Sequence, residues 1–136
     1  MKPHSRSSCW VAFLGAAVLL CVGCGPSKSE RLVGVWEDDL GVVYHLHKDG
    51  SLDRSVEVVA GQDPIVQTGY WKLEGKVLEL TVDEEDKIGY SVTYELVSID
   101  GSYFEATKKS TRHLNGQNAD TFKNRKPTKF NRVEQL

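Results

Sequence analysis

The sequence predicts an all-β domain: a small antiparallel up-and-down β-barrel of about eight strands, preceded by a signal-peptide helix and a short linker. Three observations lead there. From Leu32 onward apolar and polar residues alternate with a period of two, the spacing at which successive side chains point to opposite faces of a strand. The alternating runs are cut by Asp-Gly and Asn-Gly pairs, which favour tight hairpins because those turns need positive φ. Ahead of them, residues 10–22 form an uncharged run of 13 residues behind Lys2, His4 and Arg6, with no acid before Glu30.

The first element is the leader. A basic start followed by a short apolar run is the layout of a secretory signal. A spanning helix needs about 20 apolar residues to cross roughly 30 Å of hydrocarbon, so this run is too short. Its end, "CVGC", resembles the lipobox of bacterial lipoproteins, with Gly23 as the small residue before the cysteine and Val22 fitting the pattern. Cys21 stands where that motif usually has Leu. The resemblance implies signal cleavage after Gly23 and lipidation of Cys24. Residues 1–23 are then the signal peptide, and 24–31 the lipidated cysteine and a polar linker. It also implies a cell-envelope protein held to a membrane through its lipid; Gly25 after the cysteine points to the outer membrane in enteric-type sorting. A redox C-x-x-C would need a thioredoxin-like βαβ context and a zinc site two further ligands nearby, and neither follows here. Cleavage leaves 113 of the 136 residues and no free thiol. That length supports one core without disulfides.

The domain itself is expected over residues 32–126, with 127–136 as a C-terminal tail. The strand runs are "LVGVWED", "VVYHLH", "SLDRSVEVV", "IVQTGYWKL", "VLELTVDE", "IGYSVTYELVSI", "YFEATKKSTRHL" and "ADTFKNRK". Only "SKSERLV" suggests a helical turn. In the sixth run Ile88, Tyr90, Val92, Tyr94 and Leu96 share one face, while Gly89, Ser91, Thr93 and Glu95 share the other. Such a sheet has one dry face, and closing it into a barrel hides its edges. The expected interior includes Tyr44, Trp71, Tyr90, Tyr94, Phe104 and Phe122. Six rings in so short a barrel would fill most of it and leave at best a shallow opening at one rim near Arg54.

The order of "LVGVWED", "KDGS", "GYWKLEGKVLELTV", "YELVSIDGSYFEAT" and "TFKNRK" resembles that of small bacterial lipocalin-like domains, over residues 32–126. The resemblance implies that Gly34 and Trp36 close one end of the barrel beneath a basic residue of the last strand, Arg125 or Lys123. It also implies a small apolar or amphipathic ligand as the class of molecule such a barrel could take.

Charge is unevenly placed. From Glu30 to Thr107 there are 6 basic and 17 acidic residues; from Lys108 to Leu136 there are 8 and 2. The basic residues are scattered singly, as on a solvated hairpin, and no nucleic acid partner is expected. Arg54 shares parity with Leu52, Val56 and Val58 and so points inward, with its head reaching water at the rim. Arg54 and Trp71 are the candidate ligand or rim contacts. His45 and His47 would project together from one strand about 7 Å apart, a spacing that suits zinc, with His113 or Glu57 as a third ligand. Exposed polar residues on a wet face are the commoner case, so no metal and no cofactor is expected. The "DEED" run, residues 83–86, lacks the spaced ligands and central glycine of a calcium loop and reads as a solvated hairpin tip. The mature chain has no G-x-S-x-G, no phosphate-binding loop and no H-E-x-x-H. A non-catalytic interaction or binding module is expected, its target a small apolar ligand or an envelope protein.

Overall fold

The computed structural model describes residues 25–84, 87–115, 119–123 and 125–134. Residues 1–24, on which the expected signal cleavage at Gly23 and lipidation of Cys24 fall, and Glu85 and Asp86 of the acidic run lie outside them.

The chain folds into a short helix and nine strands: α1 (Lys28–Leu32), β1 (Gly34–Glu37), β2 (Val43–Leu46), β3 (Ser51–Val56), β4 (Ile65–Glu74), β5 (Val77–Glu84), β6 (Lys87–Ile99), β7 (Tyr103–His113), β8 (Ala119–Thr121) and β9 (Thr128–Arg132). Strands β1 to β7 pair antiparallel in chain order. Strand β9 then pairs with both β7 and β1, which closes an eight-stranded antiparallel barrel with β8 as an extra strand. Closure pairs both strand edges that an open meander would leave free.

The eighth wall strand comes in two pieces. The start of β7, Tyr103 to Ala106, pairs with β9, and its end, Ser110 to Arg112, pairs with β8. Strands β8 and β9 therefore run in the same direction along one edge of β7, separated by residues 122–127. Pro127 has no N–H to donate, so the segment just before β9 cannot carry an unbroken ladder. The sequence reading ended the domain at Lys126. The structure carries the barrel through Arg132, because closure needs a strand between β7 and β1.

At one end the barrel is plugged. Ser27 caps α1: its hydroxyl accepts from the Glu30 N–H at 3.2 Å, and its own N–H donates to the Glu30 carboxylate at 2.7 Å. The helix buries Leu32 completely, and the Leu32 carbonyl accepts the Trp36 indole N–H at 2.7 Å. Arg132 lies across this end with its guanidinium 4.2 Å from the Trp36 ring. It donates to the carbonyls of Gly101, Arg31 and Val33 at 2.7, 2.9 and 3.3 Å. Gly34 is required beneath it, since a Cβ there would meet the Arg132 guanidinium. Arg132, rather than Arg125 or Lys123, is thus the basic residue over Trp36. The reason is register: Trp36 and Arg132 are direct partners in the β1–β9 ladder.

The core centres on Phe130. Its ring stacks on Phe104 at 4.4 Å and meets Tyr44 and Tyr94 edge-on, each at 5.7 Å, while Trp36 packs edge-on against Phe104 at 4.9 Å. Tyr44, Trp71, Tyr94 and Phe104 are buried as the alternation predicts. Tyr90 and Phe122 are only partly buried. Trp36 and Phe130 complete the interior instead.

Candidate functional site: the open mouth of the barrel

Opposite α1 the barrel opens into a cavity of about 230 Å³. Val42, Leu80, Val82 and Val92 form apolar wall, and Tyr44, Tyr90 and Tyr94 line it with phenol rings. All but Val42, which lies just before β2, come from inward positions of strands, which is why the wall alternates with the wet outer face. Arg54, Lys108 and Arg125 bring three cations to the same cavity, and Asp38 and Asp39 stand at its edge.

Local structure sets each group. Asp38 ends β1 and organises the β1–β2 turn: one carboxylate oxygen accepts from the N–H groups of Leu40 and Val42, both at 2.9 Å, and the other accepts the Tyr44 hydroxyl at 3.2 Å. That carboxylate is already engaged by the turn. Arg54 comes up from β3, donates to the Gln67 side chain of β4 and lies 5.9 Å from the Tyr44 ring. Lys108 sits on β7 between the stretches paired with β8 and β9, at the level of the break in the eighth strand. Arg125 belongs to the break itself. Both cations rest on Phe122, Arg125 at 4.0 Å and Lys108 at 4.9 Å from its ring. Among the described residues none of the three cations forms an ion pair.

The electrostatics follow from this crowding. Partial burial, and then the neighbouring Arg125, hold the Lys108 amine below the ordinary lysine range; Asp120 opposes this and Arg54 adds to it. Burial pushes the Tyr94 hydroxyl up to about 12, with Asp38 adding to the rise. Burial likewise pushes Tyr44 well above the ordinary phenol, helped by Tyr94 and Asp38. Both phenols therefore stay neutral at ordinary pH. The mouth offers hydroxyls and under-neutralised cations over an apolar floor, an arrangement suited to holding an anionic group. Its described lining contains no Cys, Ser or His.

Of the residues singled out from the sequence, Arg54 stands at the mouth. Trp71 does not. It is buried on β4, its indole N–H donates to the His47 carbonyl at 2.9 Å, and its backbone N–H donates to Gly50 at 2.8 Å, which ties it to the β2–β3 turn at the plugged end. Sequence reasoning missed Lys108 and Arg125 as mouth residues. Lys108 shares parity with Phe104 and Ala106, the signal that would have found it; Arg125 lies in an irregular segment and carried none. His45 and His47 project from the outer face, as expected, with their ring centroids 3.7 Å apart. The acid beside them is Asp53, not Glu57 or His113: Asp53 is the direct β3 partner of His45, and its carboxylate lies 2.7 Å from His47 Nε2.

No protein-family model matches this chain, and no curated protein matches it either.

Proposed function

We propose that the chain is a non-catalytic binding module of the cell envelope, held to a membrane by lipid on Cys24, whose barrel mouth receives the anionic end of a small amphipathic molecule. The observation that carries this reading is the mouth itself: Arg54, Lys108 and Arg125 converge without ion-pair partners among the described residues on a cavity walled by valine, leucine and tyrosine. Size narrows the ligand. Pockets that enclose a drug-sized molecule run about 300–1,000 Å³, and about 230 Å³ is less than that. The cavity suits a head group and the first part of a chain, with the remainder passing over Leu40, a highly exposed residue at the rim. The Gly34, Trp36 and Arg132 cluster supports a lipocalin-like reading of the domain.

The "CVGC" motif supports the anchor. Gly25 to Ser27 run straight into α1 at the plugged end. A lipid on Cys24 would thus tether that end, and the mouth would face away from the bilayer. Among the described residues no helix is long and apolar enough to cross a membrane.

A second reading has its own observation. Val58, Val59, Ile65 and Val66, in and beside the β3–β4 loop, are all exposed, an apolar patch on which an envelope protein could dock.

The test is a calorimetric titration of the detergent-extracted protein with a decyl carboxylate, a decyl phosphate and a decyl trimethylammonium salt. A hydrogen bond to a charged group contributes about 1.5–3 kcal/mol, so Arg54→Ala and Lys108→Ala should each weaken binding of the anions by roughly 10- to 100-fold. Equal binding of the cationic chain, or anion affinity unchanged in both variants, would discard the mouth as the site.

A further inference from the structure

The outer face of the β2–β3 hairpin carries a second constellation, on the far side of the barrel wall from the mouth cavity. His45, His47 and Asp53 each offer one donor atom, and the three atoms lie within 4.8 Å of one another. All three are partly buried rather than free in solvent. We propose that they form a site for a single divalent transition ion of the zinc type.

Geometry carries the argument. His45 lies on β2 and His47 just past its end, where the His47–Ser51 backbone bond continues the pairing; their rings stand together on one face, and the ladder sets Asp53 directly opposite His45. The hairpin fixes this register tightly. The His47 N–H donates to the Ser51 carbonyl at 3.0 Å, and the His47 carbonyl accepts from Gly50 at 3.1 Å and from the Trp71 indole at 2.9 Å. The Asp49 carboxylate accepts from the Ser51 N–H and hydroxyl at 2.9 and 2.6 Å, locking the turn. The donors thus stand on a scaffold tied to the core rather than on a loose loop, as a preorganised metal site requires.

Distances fit after a small side-chain rearrangement. Tetrahedral zinc bonds of about 2.0–2.2 Å set donor atoms about 3.3–3.5 Å apart. The three donors lie within 4.8 Å of one another, and His47 Nε2 and Asp53 Oδ2, now in hydrogen-bond contact at 2.7 Å, need to part by less than about 1 Å, so side-chain torsions alone can complete the set. On binding, His47 Nε2 gives its lone pair to the ion in place of its contact with Asp53, and the ring proton resides on Nδ1. Asp53 then ligates through a carboxylate oxygen. His45 also borders an open groove of about 460 Å³ shared with Val35, Arg132 and Glu134, which leaves room for water or another ligand in the remaining position. Two imidazoles with one carboxylate select zinc-like and other first-row divalent ions over Ca²⁺ and Mg²⁺, which favour all-oxygen sites.

The test uses the full protein, extracted in detergent and stripped with a chelator. Calorimetry with Zn²⁺ alone should show one ion per chain, and Ca²⁺ and Mg²⁺ none. At a hundredfold excess over Kd, Zn²⁺ should raise Tm by about 5–10 °C, because it binds only the folded hairpin. His47→Ala and Asp53→Asn should each weaken Zn²⁺ binding at least tenfold, while His113→Ala leaves it unchanged. The double variant His45→Ala with His47→Ala should melt with the unsubstituted protein when no metal is present. Should a variant fold poorly, Co²⁺ added to the unsubstituted protein gives an independent reading: intense ligand-field bands of a four- or five-coordinate ion support the site, and the weak spectrum of hexaaquo Co²⁺ overturns it. A zinc-dependent Tm rise that survives in the double variant would also overturn it.

Discussion

Arg132 and Trp36 show how much one pair of side chains can organise. The guanidinium is planar and forks in several directions, which lets it stack on the indole while donating to three carbonyls from α1, its cap residue and the β6–β7 turn. A lysine ammonium cannot do both. We expect Arg132→Ala to cost about 2 kcal/mol, and Arg132→Lys to recover little of it. Urea unfolding with an unchanged m-value would measure the loss; full recovery by lysine would show that charge alone matters. The mouth residues make predictions of a different kind. Tyr94 is raised above its unfolded value near 10, so its contribution to stability is complete below pH 10 and is lost as pH climbs through about 12. Over that window stability should fall by up to about 1.4 kcal/mol per pH unit for this group, and Tyr94→Phe should flatten the slope. Lys108 is lowered, so it surrenders its proton earlier than an ordinary lysine as pH rises. Anion binding at the mouth should therefore weaken before the usual lysine range is reached, and Lys108→Arg should shift that loss to higher pH.

Single elements depend on their neighbours for their stability. A five-residue helix is far below the length that stands alone in water, so α1 persists through its capping box and the burial of Leu32. Ser27→Ala removes one half of that box and should cost about 1 kcal/mol. Hydrogen exchange should report it as faster exchange confined to residues 28–32, with the strand amides unchanged. In β4, Gly69 lies so close to β5 that a Cβ would fall on the Thr81 carbonyl. Backbone cannot swing aside as a flexible side chain can. Gly69→Ala is expected to destabilise by at least about 1–3 kcal/mol, the range for overpacking, with a lowered urea midpoint as the measurement. The broken eighth strand serves the mouth: continuous pairing along β7 would leave no irregular segment to carry Arg125 over Phe122.

At the scale of the molecule, closure and packing place the two ends in different roles. One end is filled by α1, Trp36 and Arg132, and the rings of Phe104 and Phe130 pack the interior behind them. The other stays open. Phe130 contacts Phe104, Tyr44 and Tyr94, so Phe130→Ala should cost about 3–5 kcal/mol, as large-to-small changes in a core do. Phe122→Ala, at the half-buried break, should cost clearly less and chiefly disturb anion binding. The proposed anchor is testable separately: Cys24→Ser should leave an uncleaved precursor or a released form, whereas Cys21→Ala should leave membrane attachment intact. Acyl labelling that persists without Cys24 would contradict the assignment.

Much of this was legible in the linear chain. Period-two alternation gave away the dry and wet faces of β2 and of β4 to β7, because side-chain direction along a strand is a local property. Parity put Arg54 inside; the Asp49-Gly50 turn also sets Asp53 opposite His45, a pairing the sequence reading passed over when it named Glu57 or His113. The end of the chain was different. "TKFNR" is short, follows a proline and reads as tail, yet it becomes the strand that shuts the barrel and supplies Phe130 and Arg132. Nothing local marks it, since its partners on β1 lie at the opposite end of the domain and meet it only on closure. The same holds for Arg125, whereas Lys108 carries a parity signal with Phe104 and Ala106; only the break between β8 and β9 brings the two together. Faces follow from neighbours in sequence; closure, the plugged end and the gathering of charges at the mouth follow from which distant backbones pair.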